Sequence, residues 1–274
     1  MNSSTYGHNQ HRDQHDPTED CSTNTPDIVR IWCYATFVAN VAGLIPCLFQ
    51  LVVLVSHNAS LAKLHNKIHS TLRHEHNYRA RSAFKLIEID DKFRLLRPGS
   101  VVVELGAAPG AWSQVVVERA SCLSQVKDQP VGFVLGVDLQ PIAPLSGAEF
   151  ISMGDITLKE TQDAIRQRLD DRLVDLVLSD MAPNPTGSAP TDHIRIVKLC
   201  AIALRLAVAG DVVRLKQEGG AFVCKLWGGV DTDELVAATR KYFTKVNIYK
   251  PPASRDDSSE LFIVAKNFIG IQNE

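Results

Sequence analysis

The stretch that decides the fold is VVVELGAAPGAW, residues 101–112. The apolar run at 101–105 predicts a short buried strand, a turn with two glycines follows it, and a helical pattern begins at Trp112. A strand that runs into such a turn and then into a helix is typical of the nucleotide-binding start of a doubly wound α/β fold. Glycines in this turn let the backbone approach a ligand closely. The stretch therefore predicts an α/β domain with a nucleoside pocket.

The spacing within the turn restricts the classes of ligand that it can bind. Gly106-x-x-Pro109-Gly110 does not follow the G-x-G-x-x-G pattern of dinucleotide sites, and the chain lacks the G-x-x-x-x-G-K-[ST] pattern of a P-loop. The turn suits the methionine part of S-adenosylmethionine better than a pyrophosphate. We therefore set aside the interpretation of the domain as a dehydrogenase.

The sequence after this stretch alternates between strand and helix patterns, which predicts a mainly parallel sheet covered on both faces. Two closing strands, joined by a proline-rich connection, predict an antiparallel edge. The predicted strands are 101–105, 132–138, 148–153, 173–179, 221–226, 246–249 and 260–265, and the predicted helices are 112–120, 158–169, 192–216 (one helix, or two interrupted near Gly210) and 233–243.

Acidic residues follow several of these strands. Asp138 ends the second strand, Asp155 follows the third, and Asp180 follows the fourth. Open α/β sheets bind ligands at the carboxyl ends of their strands, where an acidic residue can hold a ribose diol. We expect Asp138 to bind the ribose and Asp155 to contact an adenine amino group. Each aspartate alone could equally be a turn cap.

Charge is distributed unevenly along the chain. The net charge of -2 excludes a global basic field, so any surface for RNA must be local. Residues 57–100 hold nine Lys or Arg against four Asp or Glu, and YRARSAFKL at 78–86 begins an amphipathic helix with a basic face that continues to Phe93. The candidate RNA-binding residues are Arg79, Arg81 and Lys85, with Lys245, Lys250 and Arg255 as additions.

The N-terminal quarter is predicted to lie outside the enzyme domain. Residues 1–27 are polar and acidic and are expected to be disordered, residues 28–56 are apolar, and residues 57–74 form a basic linker. The uncharged run at 31–55 is long enough to span a bilayer. It is interpreted as a membrane anchor, as a targeting segment, or as a tail irrelevant to the enzyme that could reflect a doubtful gene model. A mitochondrial transit peptide is rich in Arg and poor in acids, unlike residues 1–27.

Cysteine usage predicts a chain without disulfides or a metal site. The chain has six cysteines and none form a C-x-x-C pair, and no cluster of Cys and His has the spacing of a zinc site. Cys200 and Cys224 lie in apolar runs and are expected to be reduced core residues. We expect a monomer that binds no metal.

Five motifs resemble one family in their order and spacing. YRARSAFKL at 78–86, LGAAPGAWSQ at 105–114, SDMAPN at 179–184, FVCKLW at 222–227 and SSELFIVA at 258–265 are similar to the FtsJ/RrmJ family of RNA ribose 2′-O-methyltransferases. The resemblance covers residues 75–268 and leaves out residues 1–70 and the tail 269–274. It implies a Rossmann-like methyltransferase fold with a mostly parallel seven-stranded sheet, an antiparallel edge strand and helices on both faces.

The resemblance also implies the site residues. By motif, the family's catalytic tetrad falls on Lys85, Asp180, Lys225 and Glu260, with Lys225 as the principal catalytic residue. S-adenosylmethionine would be held by Gly106, Ala107, Pro109, Gly110, Trp112, Asp138, Asp155 and Asp180.

Physical chemistry gives Lys225 a reason to be functional. It lies in an otherwise apolar strand, where a lysine is costly unless it reaches a partner. A neutral lysine could accept the hydroxyl proton, whereas a charged one could orient the hydroxyl and stabilise developing alkoxide. Desolvation and a second lysine lower a lysine pKa and carboxylates raise it, so the sequence leaves both roles open.

The choice of RNA rests on resemblance within the family. SDMAPN and LGAAPGAWSQ are similar to the large-subunit rRNA branch, and PVGFVLGVDL and DHIRIVKLC are most similar to its mitochondrial members. This resemblance implies a uridine in the A-loop, a role in ribosome biogenesis and a mitochondrial location. DLQPIAPLSG at 138–147 is closer to the tRNA branch. A tRNA substrate, another rRNA or an mRNA cap, and a non-catalytic RNA-binding assembly factor with the same fold remain alternatives.

Overall fold

The structure, a computed structural model, describes residues 77–229, 231–255 and 258–270. The predictions for 1–27, 28–56 and 57–74, and that for the tail beyond residue 270, lie outside these residues. In the three described ranges, no helix combines the length and the apolar character needed to cross a membrane.

Five helices and seven strands are present in the described part of the chain. The helices are α1 (Ala83–Phe93), α2 (Ala111–Arg119), α3 (Lys159–Leu169), α4 (Ala189–Val208) and α5 (Thr232–Arg240). The strands are β1 (Val101–Leu105), β2 (Phe133–Asp138), β3 (Glu149–Ser152), β4 (Leu176–Ser179), β5 (Ala221–Trp227), β6 (Phe243–Tyr249) and β7 (Glu260–Phe268).

The strands form one sheet in the order β3-β2-β1-β4-β5-β7-β6. The first five strands of this order pair in parallel, and β7 pairs antiparallel with both β5 and β6. The predicted mostly parallel sheet with an antiparallel edge is confirmed. Since β7 runs opposite to β5, its amino end lies beside the carboxyl end of β5, with Glu260 opposite Trp227 and Phe262 opposite Lys225.

A hydrophobic core lies on each face of the sheet. Val103 and Leu105 pack with buried residues of α3, α4 and α5, whereas Val102 packs with those of α1 and α2. Successive side chains of a strand point to opposite faces, so Glu104 lies on the face of α1 and α2. This alternation decides which polar side chains can meet at the end of the sheet.

Several predicted boundaries were wrong. The helix predicted over 192–216 begins at Ala189, with a proline in its first turn, and ends at Val208, before Gly210 with its positive φ of 76°. Residues 211–216 are not helical. Helix α5 ends at Arg240, and Phe243, predicted as helical, begins β6 because it pairs with Phe268. Tertiary pairing overrode the local pattern here.

Candidate active site

Five charged residues meet at one end of the sheet because they share a face. Val134, Leu178, Val223 and Phe262 all pack in the core of α1 and α2. Asp138, Asp180, Lys225 and Glu260 are each two residues or a multiple of two away from one of these, so each lies on that same face, as Glu104 does. The strand register then brings the carboxyl ends of β1, β2, β4 and β5 together with the amino end of β7.

Lys225 and Asp180 form a nearly buried ion pair. The Lys225 Nζ lies 2.9 Å from Asp180 Oδ1 and donates a hydrogen bond to the Asp180 carbonyl oxygen at 2.5 Å. The two side chains are only 10% and 18% exposed. The lysine therefore has the partner that its place in an apolar strand requires.

Lys85 and Glu260 form a second ion pair beside the first. The Lys85 Nζ lies 2.6 Å from Glu260 Oε1 and 2.8 Å from Oε2, and joins helix α1 to the first residue of β7. The Ser254 hydroxyl donates to Glu260 Oε1 at 2.8 Å, which fixes the carboxylate from the β6–β7 connection. The sequence motifs did not point to Ser254.

The electrostatics of Asp180 tie the two pairs into one cluster. Burial raises the pKa of Asp180 above its ordinary value, while the charges of Lys225 and Lys85 oppose this rise and that of Glu260 adds to it. All four residues of the predicted tetrad are therefore close enough to act on one another. Two cations and two carboxylates compensate each other at a site that is largely shielded from water.

The glycine-rich turn lies next to this cluster and is held by strand β2. The amides of Gly106 and Ala107 donate to the Val137 carbonyl oxygen at 2.9 and 3.2 Å, and the Ala108 amide donates to Asp138 Oδ2 at 2.8 Å. Gly106 has a φ of +79°, and a Cβ there would lie 2.9 Å from the backbone nitrogen of Met181. Only glycine fits this close approach between the turn and the segment after β4.

The end of the turn forms the start of helix α2. Gly110 is the N-cap with a φ of 98°, its amide donates to the Ala107 carbonyl oxygen at 2.6 Å, and Pro109 follows a cis peptide bond. The helix N-terminus faces the ligand end of the sheet, as it does where such folds hold an anionic group.

Asp138 and Asp155 both lie at the carboxyl ends of the parallel strands, where the sequence predicts the ligand site. Asp138 Oδ1 accepts a hydrogen bond from the Gln140 amide at 2.8 Å, and a carboxylate that already accepts two amides retains lone pairs for a diol. Hydrogen bonds from the Thr157 hydroxyl and amide lower the pKa of Asp155, so this carboxylate is ionised at neutral pH.

Two apolar side chains at the same edge were missed by the sequence motifs. Leu139 and Met153 follow β2 and β3 directly and are 64% and 72% exposed. Asp138 pairs with Ser152 in the sheet, so the residues after each are neighbours. Exposed apolar side chains beside a carboxylate suit a flat heteroaromatic ring. A sequence signal existed, since Leu139 directly follows the ligand candidate Asp138 and Met153 lies two residues before the candidate Asp155.

The side chain of Trp112 is buried and makes its contacts within the protein. Its side chain is 2% exposed, its Nε1 donates to the Ser82 carbonyl oxygen at 2.8 Å, and its ring lies 5.8 Å from that of Phe262. It therefore joins the start of α1 to β7. Its assignment to cofactor binding stays a prediction.

The candidate RNA-binding arginines make contacts within the chain. Arg79 donates three hydrogen bonds, to the carbonyl oxygens of Pro109 at 3.0 Å, Ala143 at 2.7 Å and Pro144 at 2.6 Å. Arg81 donates to the Ala253 carbonyl oxygen at 3.4 Å. Arg79 thus braces the glycine-rich turn against the segment after β2. The role of Arg79, Arg81 and Lys85 in binding RNA stays a prediction.

Glu104 is a further site residue that the motifs did not single out. It is 1% exposed, and the Ser113 hydroxyl donates to its Oε2 at 2.5 Å. A charged residue in an apolar strand is the same sequence signal that drew attention to Lys225. Within the described part of the chain, His, Cys, Asp and Glu side chains form no group of three that could hold a metal ion.

Known proteins resemble this chain in sequence and in fold. The sequence profile of the FtsJ-like methyltransferases matches residues 78–268. The chain is 46% identical to a Caenorhabditis elegans protein named rRNA methyltransferase 2, mitochondrial, over 71% of this chain and 86% of that protein. It is 49% identical to the ribosomal RNA large subunit methyltransferase E of Cereibacter sphaeroides, over 72% of this chain and 78% of that protein.

A solved structure is also similar. The crystal structure of a ribosomal RNA methyltransferase from Plasmodium falciparum aligns with a TM-score of 0.61 and 26% identity, over 71% of this chain and 100% of that one.

Proposed function

Since the chain belongs to the FtsJ-like methyltransferase family, we propose that it transfers the methyl group of S-adenosylmethionine to a ribose 2′-hydroxyl of large-subunit ribosomal RNA. Membership of the family makes the chain an RNA methyltransferase. We propose the methyl donor, the 2′-hydroxyl acceptor and the class of RNA. The observation that carries the proposal is the buried ion pair of Lys225 and Asp180, at hydrogen-bond distance from each other beside the glycine-rich turn. The named relatives act on ribosomal RNA, which supports this substrate class.

The residues present fit S-adenosylmethionine by their chemistry. The ligand is cationic at sulfur, and the carboxyl groups of Glu104, Asp138 and Asp180 lie at the carboxyl end of the sheet, together with the lysines Lys225 and Lys85. Asp138 would hold the ribose diol, Asp155 the adenine amino group, and Gly106 and Gly110 the methionine part. Leu139 and Met153 would flank the adenine ring. When bound, S-adenosylmethionine supplies an electrophilic methyl group on a positively charged sulfur.

The lysines and carboxylates of the tetrad would act on the RNA hydroxyl. Lys225 Nζ donates a hydrogen bond to one carbonyl oxygen and forms an ion pair with one carboxylate. These contacts support a Lys225 that orients the hydroxyl and stabilises the alkoxide as it forms. The pair of Lys85 and Glu260 would fix Lys225 and the ribose in place, and in-line placement of the hydroxyl supplies the rest of the rate enhancement.

The target within ribosomal RNA is proposed to be a uridine in the A-loop of the mitochondrial large-subunit rRNA. Two relatives carry the word mitochondrial in their names, those of Caenorhabditis elegans and Drosophila melanogaster, whereas others are bacterial. A mitochondrial location would be tested by fractionating cells that express the full chain with a C-terminal tag. Recovery of the tag outside mitochondria would contradict this part of the proposal.

Methyl transfer from labelled S-adenosylmethionine tests the reaction. Large-subunit rRNA, intact large subunits and tRNA would be offered separately to the wild type, to Lys225→Ala and to Lys241→Ala, an exposed lysine directly after helix α5. We expect one labelled rRNA ribose, lost in Lys225→Ala and kept in Lys241→Ala. Label in tRNA alone would overturn the substrate, and cofactor binding without label in any RNA would favour the assembly-factor alternative.

A further inference from the structure

Glu104 presents a problem that the proposed mechanism does not solve. The residue is 1% exposed near the carboxyl end of an otherwise apolar strand, and no step of methyl transfer described above uses it. A buried carboxylate is costly unless it is paired with a cation or carries a proton. Any function of Glu104 must therefore explain whether its buried carboxyl group is ionised or protonated.

The groups around Glu104 disfavour its charge. Asp138 faces it from β2 and Asp180 from the segment after β4, and both are acidic, while helix α2 faces it with the Ser113 hydroxyl. Burial, opposed by the hydrogen bond from Ser113 and helped by these two aspartates, raises the pKa of Glu104 to about 8. At pH 7 this carboxyl group is therefore mostly protonated.

Glu104 is linked to the glycine-rich turn by its place in the chain and by a hydrogen bond. It lies two residues before Gly106, and Ser113 lies three residues after Gly110, so their hydrogen bond closes the turn across its base. Anything that settles in the turn changes the field at this carboxyl group. A cation held there would offset the repulsion from Asp138 and Asp180 and lower the pKa of Glu104.

We propose that Glu104 is a positioning residue that couples cofactor binding to a proton: it is neutral in the free enzyme and gives its proton to solvent when the turn takes up the cationic cofactor. This rests on the proposed use of S-adenosylmethionine. The O–H bond of the Glu104 carboxyl group breaks, the proton passes to buffer, and the carboxylate remains as a counter-charge, held by Ser113. Cofactor affinity then rises with pH, by up to about tenfold per pH unit below the pKa of the free enzyme.

Calorimetry of cofactor binding tests the coupling without any turnover. Binding of S-adenosylmethionine would be measured at pH 7 in buffers of different ionisation enthalpy, which gives the number of protons released. We expect the wild type to release about one proton with S-adenosylmethionine and fewer with the sulfur-neutral S-adenosylhomocysteine. Glu104→Gln should release almost none beyond the contribution of the ligand's own α-amino group. The α-amino group of the ligand contributes equally to wild type and variant, so their difference belongs to Glu104.

Two further variants separate this coupling from a merely structural effect. Ser113→Ala removes a hydrogen bond that lowers the pKa of Glu104, so we expect the rise of affinity with pH to shift to higher pH. Asp90→Asn removes another buried carboxylate, bonded to Leu95 and Leu96, and should release as many protons as the wild type. Equal proton release by wild type and Glu104→Gln would overturn the inference, whereas absence of binding by all variants would overturn the proposed use of the cofactor.

Discussion

Strands β1 and β5 each carry one charged residue in an apolar sequence, and the two residues have opposite surroundings. Lys225 of β5 lies 2.9 Å from the carboxylate of Asp180, whereas Glu104 of β1 has a hydroxyl as partner and two aspartates as charged neighbours. Both residues are buried, and the partner decides whether a charge is tolerated there. Lys225 is suited to act as a cation, and Glu104 to hold a proton until a cation arrives.

Removing Lys225 should give the largest effect. Lys225→Met keeps the length of the side chain and removes its charge and donors, so we expect kcat to fall by about 10²–10⁴-fold. The measurement is single-turnover methyl transfer to large-subunit rRNA, with circular dichroism to verify the fold. Retention of more than a tenth of the rate would contradict the assignment of Lys225 as the catalytic residue.

Glu104→Gln should change the pH dependence of stability. The pKa of Glu104 is about 8 in the folded chain, against an ordinary value of 4.5, so folding takes up a proton between these values. The stabilisation from this proton is full at low pH and is lost as the pH rises through 8. One pKa unit corresponds to about 1.4 kcal/mol, so we expect the wild type to lose on the order of 3 kcal/mol more than Glu104→Gln between pH 5 and 8.

Denaturant unfolding of both proteins across this pH range gives the comparison, and Asp90→Asn serves as the control for loss of a buried carboxylate. Parallel curves for wild type and Glu104→Gln would mean that Glu104 is ionised in the folded chain. The contrast between β1 and β5 would then fail.

The second ion pair should matter less than the first. Glu260→Gln keeps the shape of the side chain and the hydrogen bond from Ser254 but removes the counter-charge of Lys85. Because the pair acts by placing Lys225 and the ribose, we expect a loss of about 10–100-fold in kcat with little change in cofactor affinity. Steady-state kinetics separate the two, and a loss confined to cofactor affinity would assign Glu260 to the pocket instead.

The motifs selected residues that the structure brings together, but they did not indicate the contacts that these residues make. The family resemblance selected Lys85, Asp180, Lys225 and Glu260. The structure brings them together because strand alternation puts Asp180, Lys225 and Glu260 on the face that α1, which carries Lys85, covers. Contacts between distant segments could not be read in the same way. Arg79 bonds to carbonyl oxygens 64 and 65 residues away, and no local pattern indicates that partner.

The same limit explains the errors in the fold. Residues 211–216 continue the apolar pattern of α4, but Gly210 ends it and Leu215 forms a bridge with Val174. Pairing between segments about 40 residues apart is a tertiary contact, which periodicity along the chain does not encode.

A substitution of Trp112 should have the smallest effect of those predicted, and it tests the surroundings of Glu104 in the comparison of β1 with β5. The indole lies at 2% exposure, bonded to Ser82 and packed on Phe262, on the face of the sheet that also carries Glu104. Trp112→Phe retains an aromatic ring and removes the donor, so we expect a loss of about 1 kcal/mol of stability with cofactor affinity unchanged. Denaturant unfolding and calorimetry measure the two quantities. If affinity falls while stability stays, the indole reaches the cofactor, and the turn beside Glu104 must open further on binding than it does in the free enzyme.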